Sequence, residues 1–468
     1  MGAVVVVAVT LRLGSALYHG NAVTALPGIW DQISYDGLAQ RVVDGHGFSF
    51  GEGHWPATQA GEPTAHWSYL YTLYLVAIYS VFGHQPLIAR LIQAVVSGFL
   101  HTWLVWRLGR RVFGVQTGLA AASLSAVYLY FVYYAGGLLT ETFYFLGVLW
   151  VFDAALRLAD KNTRIKDESS RQKRGWLPWV ELGLAIGTTV LLRQVFVLFV
   201  PFVYIWLWWS ACSCARVKRN LEQYGFRRLL PRGHLKGFMA SGLIVVFLVG
   251  PWTLRNYRSF GTFVLVNTNA GFAFYWGNHP IHGRQFMALL PPDRGSYSEL
   301  IPEQFRSLNE AEMDRALLKE ALHNIAKDPV RYFLLSLSRA SEYFKFWPSE
   351  QSSRASNLAR VASFGILLPL MLLGLCTCAG WIRKPQHPGQ RSQIILLLLF
   401  ISAYSVIHLL TWTLIRYRLP VDVVLILFAG LGATVSLRQY SSLRMSRRFH
   451  RIYNVKFFVT SLMHRQLK

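Results

Sequence analysis

The strongest constraint on this chain is the recurrence, from one end to the other, of apolar runs long enough for a helix to cross about 30 Å of hydrocarbon. Only helices and closed barrels satisfy their own backbone there, and runs of this length select helices. Candidate spans fall at 2–18, 67–83, 88–108, 113–134, 137–158, 177–193, 195–211, 237–253, 356–381, 393–412 and 420–437. With 53% hydrophobic and 15% charged residues in 468, the chain has too little polar surface for a soluble domain of that length. The expected fold is an all-α polytopic membrane protein. The first run has no basic leader and no small-residue cleavage site, so it reads as a retained span.

A formal charge of +24 raises nucleic acid as a partner, but in a polytopic protein basic residues concentrate in cytoplasmic loops. Eleven crossings would split the basic loops between the two sides. The segment 67–83, short and carrying four tyrosines and a tryptophan, suits an interfacial helix instead. Without it, the regions 107–111, 159–176, 212–236, 382–392 and 438–468 share one side, with 27 Lys and Arg against four Asp and Glu. The other side receives 19–87, with one basic and five acidic residues, and 254–355, with 12 basic and 10 acidic. This is the positive-inside pattern, with about ten spans and both termini cytoplasmic, and it removes the case for nucleic acid. The expected organisation is a transmembrane module, 1–253, with a first outer loop at 19–87; an outer loop, 254–355; C-terminal helices, 356–437; and a basic cytoplasmic tail, 438–468.

The four cysteines, Cys212, Cys214, Cys376 and Cys378, form two C-x-C pairs near inner helix ends, which implies no outer disulfide framework. In the long outer loop, Ser307 and Glu310 have capping-box spacing before a stripe of Met313, Leu317, Ala321 and Ile325. A second helix is expected from Pro329 to about Trp347.

On this topology several polar groups remote in sequence gather at the outer edge. They are Asp31, Asp36, Glu62 and His66 in the first loop, Glu141 one turn into a span, and Arg193 between two spans. Arg255, Asn256 and Arg258 follow in "GPWTLRNYRSFG", Asn267, Asn269 and Asn278 in "VNTNAGFAFYWGNHP", and Arg416 and Arg418 in "LIRYRLP". Charges at a membrane edge need partners or water, so each is a functional candidate. The plainer readings are that Arg258 and Arg418 anchor helix ends, that Glu141 and Arg193 pair structurally, and that Asp36 and Asp44 are solvated. Together the set offers guanidinium forks for phosphate oxygens and carboxylates able to take a proton from a hydroxyl. A phosphate carried on a lipid tail would use both.

These motifs, in this order, resemble the lipid-linked-sugar glycosyltransferases of the GT-C fold, in the family-39-like branch of protein O-mannosyltransferases and lipid A aminoarabinose transferases. The likeness runs through "DQISYDGLA", "DGHGF", "ARLIQAVVSGFLHTWLVWRLGRRVFG", "LLTETFYF", "LLRQ", "PWTLRNYRSFGTFVLVNTNAGFAFYWGNHP" and "RYRLP", nearly the whole chain. It implies a GT-C-like bundle of about 10–11 spans with juxtamembrane helices in the first loop. It also implies a hexosyl- or pentosyltransferase of the cell envelope, in a bacterial inner membrane with its site facing outside. The donor would be a polyprenyl-phosphate-linked sugar, the acceptor a protein, lipid or glycan, and membrane lipid the remaining partner.

The resemblance assigns the catalytic carboxylate to Asp31 and an inverting displacement to the reaction. Arg193, Arg255 and Arg416, then Arg258 and Arg418, would stabilise the leaving phosphate; Tyr35 would orient the base or the sugar. Glu62, Glu141, Asn256 and Asn278 would bind substrate. Two departures stand out: Gln32 follows Asp31 where many relatives have Glu, and "HWSYLY" replaces a Pro-rich approach to the juxtamembrane helix. No cofactor is implied with certainty; some relatives use a divalent cation at the phosphate, and no Asp-x-Asp motif is present here. A transporter or flippase of a lipid-linked sugar is the alternative, and it predicts midplane polar residues and repeat symmetry.

Overall fold

The computed structural model describes residues 1–26, 29–164, 176–218, 232–291, 294–350, 352–387 and 389–465. The basic loops at 165–175 and 219–231, the side chain of Cys214 and the tail side chains beyond 441 lie outside the described residues. Among the described residues every regular element is helical, and only isolated bridges such as Ser49 with Pro63 interrupt the pattern.

The first half of the chain forms α1 (Gly2–His19), α2 (Asp31–Val43), α3 (Tyr69–Phe82), α4 (Pro86–Phe113), α5 (Val115–Val127), α6 (Leu129–Gly136), α7 (Glu141–Arg164), α8 (Leu177–Leu192) and α9 (Val200–Lys218). The second half forms α10 (Arg232–Phe260), α11 (Ala270–Asn278), α12 (Glu310–Lys327), α13 (Pro329–Tyr343), α14 (Arg354–Arg360), α15 (Ile366–Arg383), α16 (Gln390–Leu410) and α17 (Ile415–Arg465). Among the described residues eight spans are long and apolar enough to cross a membrane, and the bent pair α5–α6 makes a ninth, against about ten expected; α8, expected as a span at 177–193, has only 16 residues. The chain is an integral, multi-pass membrane protein. At 14 residues α3 is about 21 Å long, short of the hydrocarbon thickness, which agrees with its removal from the expected spans.

The expected span 113–134 is broken. Tyr128 leaves the helix at φ −66° and ψ 110°, α5 and α6 meet at 52°, and the Tyr128 hydroxyl donates to Asp422 Oδ2 at 2.7 Å. Asp422 lies in α17, 294 residues further on, so no local signal marks the break.

Two helices form the centre of the bundle. The most apolar windows of α7 and α17 are 83% and 78% buried, against 17% for α1 and 22% for α10. Small residues set the closeness of packing around α17. A Cβ on Gly374 of α15 would lie 1.9 Å from the Phe428 carbonyl, and one on Gly432 would lie 2.1 Å from that of Leu370.

The outer loop docks on the first loop through one carboxylate. Glu310 is buried and accepts from Thr58 Oγ1 at 2.8 Å, Thr64 Oγ1 at 2.7 Å, the Ala65 amide at 2.8 Å and the Thr268 hydroxyl. The capping box expected from Ser307 and Glu310 is therefore Asn309 with Glu312, whose side chains and amides pair reciprocally. A start two residues later frees Glu310 to face inward. The stripe below it is as expected, with Met313, Leu317 and Ala321 all buried.

Replacing Glu310 by Ala orphans four buried donors. At about 1–3 kcal/mol for each unsatisfied group, the loss should exceed that of an ordinary surface change. A lowered thermal midpoint in detergent, read by tryptophan fluorescence, is the expected outcome; an unchanged midpoint would show that Glu310 does not hold the loops together.

Candidate active site

Three helices begin at one place. Asp31 is the first residue of α2, Glu141 the first of α7 and Arg416 the second of α17, while Arg193 caps the C-terminus of α8. Carboxylates at helix N-termini lie at the positive end of the helix dipole, which favours their charge. The start of α17 is the unfavourable end for a cation, and two carboxylates offset it.

Arg416 Nη1 donates to Asp31 Oδ2 at 2.7 Å, although the two are 385 positions apart. The same Nη1 is 3.8 Å from Glu141 Oε1, and Arg193 Nη2 is 2.6 Å from that oxygen. Arg193 Nε also donates to Thr140 Oγ1 at 3.0 Å. Tyr417 lies under both guanidinium groups, 5.2 Å from that of Arg416 and 5.8 Å from that of Arg193. Glu141 is 1% exposed, whereas the Asp31 side chain keeps 20% of its surface open. The four side chains form a neutral quartet, sealed on the Glu141 side and open at Asp31.

Around Asp31 the first loop is aromatic. Tyr35, one turn along α2, is 6% exposed, meets Trp67 and Tyr71 edge-on, and accepts the Ser68 amide at 3.4 Å. Burial, with the Asp31 charge adding to it, pushes the Tyr35 hydroxyl pKa up. His66 is enclosed by Trp55, Trp67 and Phe272, and burial pushes its pKa down. Gln32, fully buried, accepts from Arg90 Nη2 at 3.2 Å and donates to the Thr24 carbonyl. It therefore serves as a backbone clamp.

The remaining sequence candidates lie outside the quartet. Arg255 stacks on Trp252 at 4.7 Å and donates to the carbonyls of Thr64 at 2.9 Å and Phe48 at 3.2 Å, so it holds the first loop in place. Asn256 is buried and donates to the Val266 carbonyl at 3.0 Å. Arg258 and Glu62 are exposed. Asn278 is buried and accepts from Arg339 Nη2 at 2.7 Å. Arg418 is buried, pairs with Asp422 at 3.0 Å, lies 3.6 Å over Phe364 in a π-helical stretch, and donates to the Tyr343 carbonyl at 2.8 Å. It thereby fastens the end of α13 to the last span. Asn267 and Asn269 donate to carbonyls of Ala65, Trp67 and His66.

Asp36 is not the solvated residue expected from its polar surroundings. It is buried and accepts from Tyr79 at 2.5 Å, His84 at 2.9 Å and Gln40 at 2.7 Å, which fixes α2 on α3. Asp36, Glu310 and Asp422 were missed as anchoring acids because a single acid in a loop or span has no periodic signature.

A divalent cation takes about six oxygen ligands. Here two carboxylates converge, Arg416 lies between them, and among the described residues no group of three His, Cys, Asp or Glu is placed to hold a metal. These residues do not by themselves make a metal site.

By fold, the chain is similar to the archaeal oligosaccharyltransferase AglB from Archaeoglobus fulgidus, solved with an inhibitory peptide and a dolichol-phosphate. The TM-score is 0.56 at 15% identity, covering 95% of this chain and 51% of that one. The apo form of the Archaeoglobus fulgidus oligosaccharyltransferase gives 0.55 at 16% identity, covering 95% and 52%. The chain thus spans about half the length of these structures. ArnT from Cupriavidus metallidurans bound to undecaprenyl phosphate has a TM-score of 0.37 at 15% identity over 92% of this chain and 78% of that one, too low to carry weight. No family model and no curated protein sequence matches the chain. The expected GT-C-like helical fold is the fold observed.

Arg193→Ala strands Glu141 in the protein interior, and breaking a buried pair from one side costs about 3–5 kcal/mol. The double change Arg193→Leu with Glu141→Leu should recover most of the lost thermal midpoint; no recovery would show that the pair is not the cause. His54 gives a pH test, because burial and the neighbouring His66 push its pKa from 6.5 to about 4. The unfolded chain takes up this proton first, so the contribution of His54 to stability is intact above about pH 6.5 and is lost as pH falls toward about 4. The midpoint of the wild type should fall relative to that of His54→Gln across this window, and parallel curves would refute it.

Proposed function

We propose that the protein is an integral-membrane glycosyltransferase that moves a sugar from a polyprenyl-phosphate donor to an acceptor hydroxyl on the extracytoplasmic side, with inversion. The observation that carries this reading is the quartet of Asp31, Arg416, Glu141 and Arg193, closed toward the bundle and open at Asp31. The GT-C fold and the dolichol-phosphate bound by AglB support it.

Asp31 takes the proton of the acceptor hydroxyl while that oxygen forms its bond to the anomeric carbon. The bond from that carbon to the phosphate oxygen breaks on the opposite face, and its electron pair leaves with polyprenyl phosphate. The phosphodiester monoanion becomes a monoester dianion, so positive charge nearby helps most in the transition state. Arg416 serves this step by exchange. Its guanidinium turns from Asp31 to the phosphate, which supplies the cation and at the same time frees the base. Glu141 holds Arg193, and through it the rim, in a fixed orientation. Arg255 and Arg418, tied to backbone carbonyls, set the geometry of the loops around the reacting atoms.

Removing a general base typically costs about 10²- to 10⁴-fold in rate. Asp31→Asn in proteoliposomes carrying membrane-extracted polyprenyl-phosphate sugars should lose that much polyprenyl phosphate release and keep the wild-type thermal midpoint. Near-normal turnover would remove Asp31 from the reaction. Movement of the labelled lipid between leaflets with no release would favour the transporter instead.

A further inference from the structure

Further along α2, whose first residue is Asp31, the helix forms one wall of an open groove of about 330 Å³, lined by Gly37, Gln40, Arg41, Asp44, Phe50, Gly51, Glu52, Gly53 and His54. That volume lies within the range of small-ligand sites. The groove is joined to the quartet through α2 itself. Ser34, one turn beyond Asp31, bonds His54 Nε2 at 2.8 Å, and about 9 Å of helix axis separates Asp31 from Gly37.

We propose that this groove is the acceptor subsite and that it takes the hydroxyl groups of a carbohydrate. The inference rests on the glycosyltransferase reading given above and names the acceptor class for that site.

Four features favour a sugar over other acceptors. Arg41, Asp44 and Glu52 are planar polar groups able to donate and accept toward neighbouring hydroxyls, held beside Gln40 and His54, which are themselves bonded to Asp36 and Ser34. His54 is neutral because burial pushes its pKa down to about 4, so one guanidinium faces two carboxylates and the lining repels a phosphate or an anionic lipid. The one large apolar wall, Phe50, is 6% exposed and covered by the His54 ring at 3.7 Å, which leaves no trough for an acyl tail and no pocket for an apolar peptide anchor. Trp55, the residue after His54, is 45% exposed and stacked on Trp276 at 5.2 Å, so part of an indole is held open for the apolar side of a ring.

The glycine in α2 points the same way. Glycine is unfavourable inside a helix, yet a Cβ on Gly37 would meet nothing within 4 Å, and the same holds at Gly53. Packing within this chain does not require glycine at either place. What the missing side chains keep clear is the groove.

The test uses the full chain in nanodiscs with three probes: neutral di- to tetrasaccharide methyl glycosides, a Ser- and Thr-containing heptapeptide amide, and a short-chain anionic phospholipid. Binding is read by saturation-transfer NMR, and donor breakdown by release of polyprenyl phosphate without acceptor. Wild type should bind the oligosaccharides. Gly37→Leu and the pair Asp44→Asn with Glu52→Gln should weaken binding about tenfold or more, a change of about 1.4 kcal/mol. Donor breakdown and the thermal midpoint should stay unchanged, since the leucine enters open space. Oligosaccharides that fail to bind wild type, or that bind Gly37→Leu equally well, overturn the proposal, as does peptide or phospholipid binding that Gly37→Leu removes. Gly37-dependent sugar binding in a wild type that never breaks down the donor would leave the carbohydrate site standing and sink the glycosyltransferase reading.

Discussion

Charge brought into a low-dielectric bundle must be neutralised where it lies, and here the neutralisation decides the architecture. Four side chains from four remote segments cancel at the point where α2, α7 and α17 begin. Glu141 and Arg193, on the sealed side, cannot be left without partners, so α7 and the end of α8 are held to one another by the cost of separating them. The same balance restricts what can bind. Within the four, each guanidinium already faces a carboxylate, so no cation is spare.

Arginine has three separate uses in this chain, and the differences follow from geometry. Arg193 and Arg416 face carboxylates and form the quartet. Arg255 and Arg339 direct their forks at backbone carbonyls, where five fixed donors suit a loop that lacks its own hydrogen bonds. Arg418 does both, pairing with Asp422 and gripping the end of α13. A one-dimensional reading sees membrane-edge cations in every case.

The bundle was legible because apolar length is a property of contiguous residues. Arg193 and Glu141 were legible as partners because each interrupts such a run. What escaped had its cause elsewhere in the chain. Tyr128 breaks its helix to reach an acid in the last span, and α12 starts two residues late so that Glu310 can seal the first loop. Asp36 looked solvated because its partners Tyr79 and His84 lie more than 40 positions away. Glu62, drawn into the candidate set by its charge and its loop, stays in solvent.

The glycine contacts along α17 have a mechanical meaning. Where α15 meets α17, backbone touches backbone at Gly374 and Gly432, and no layer of side chains remains to deform. A helix clamped in this way can neither roll nor slide, so Arg416 rides on a fixed chassis. Any adjustment at the rim then falls to guanidinium rotamers and to the loops above, and the transmembrane scaffold acts as an anvil.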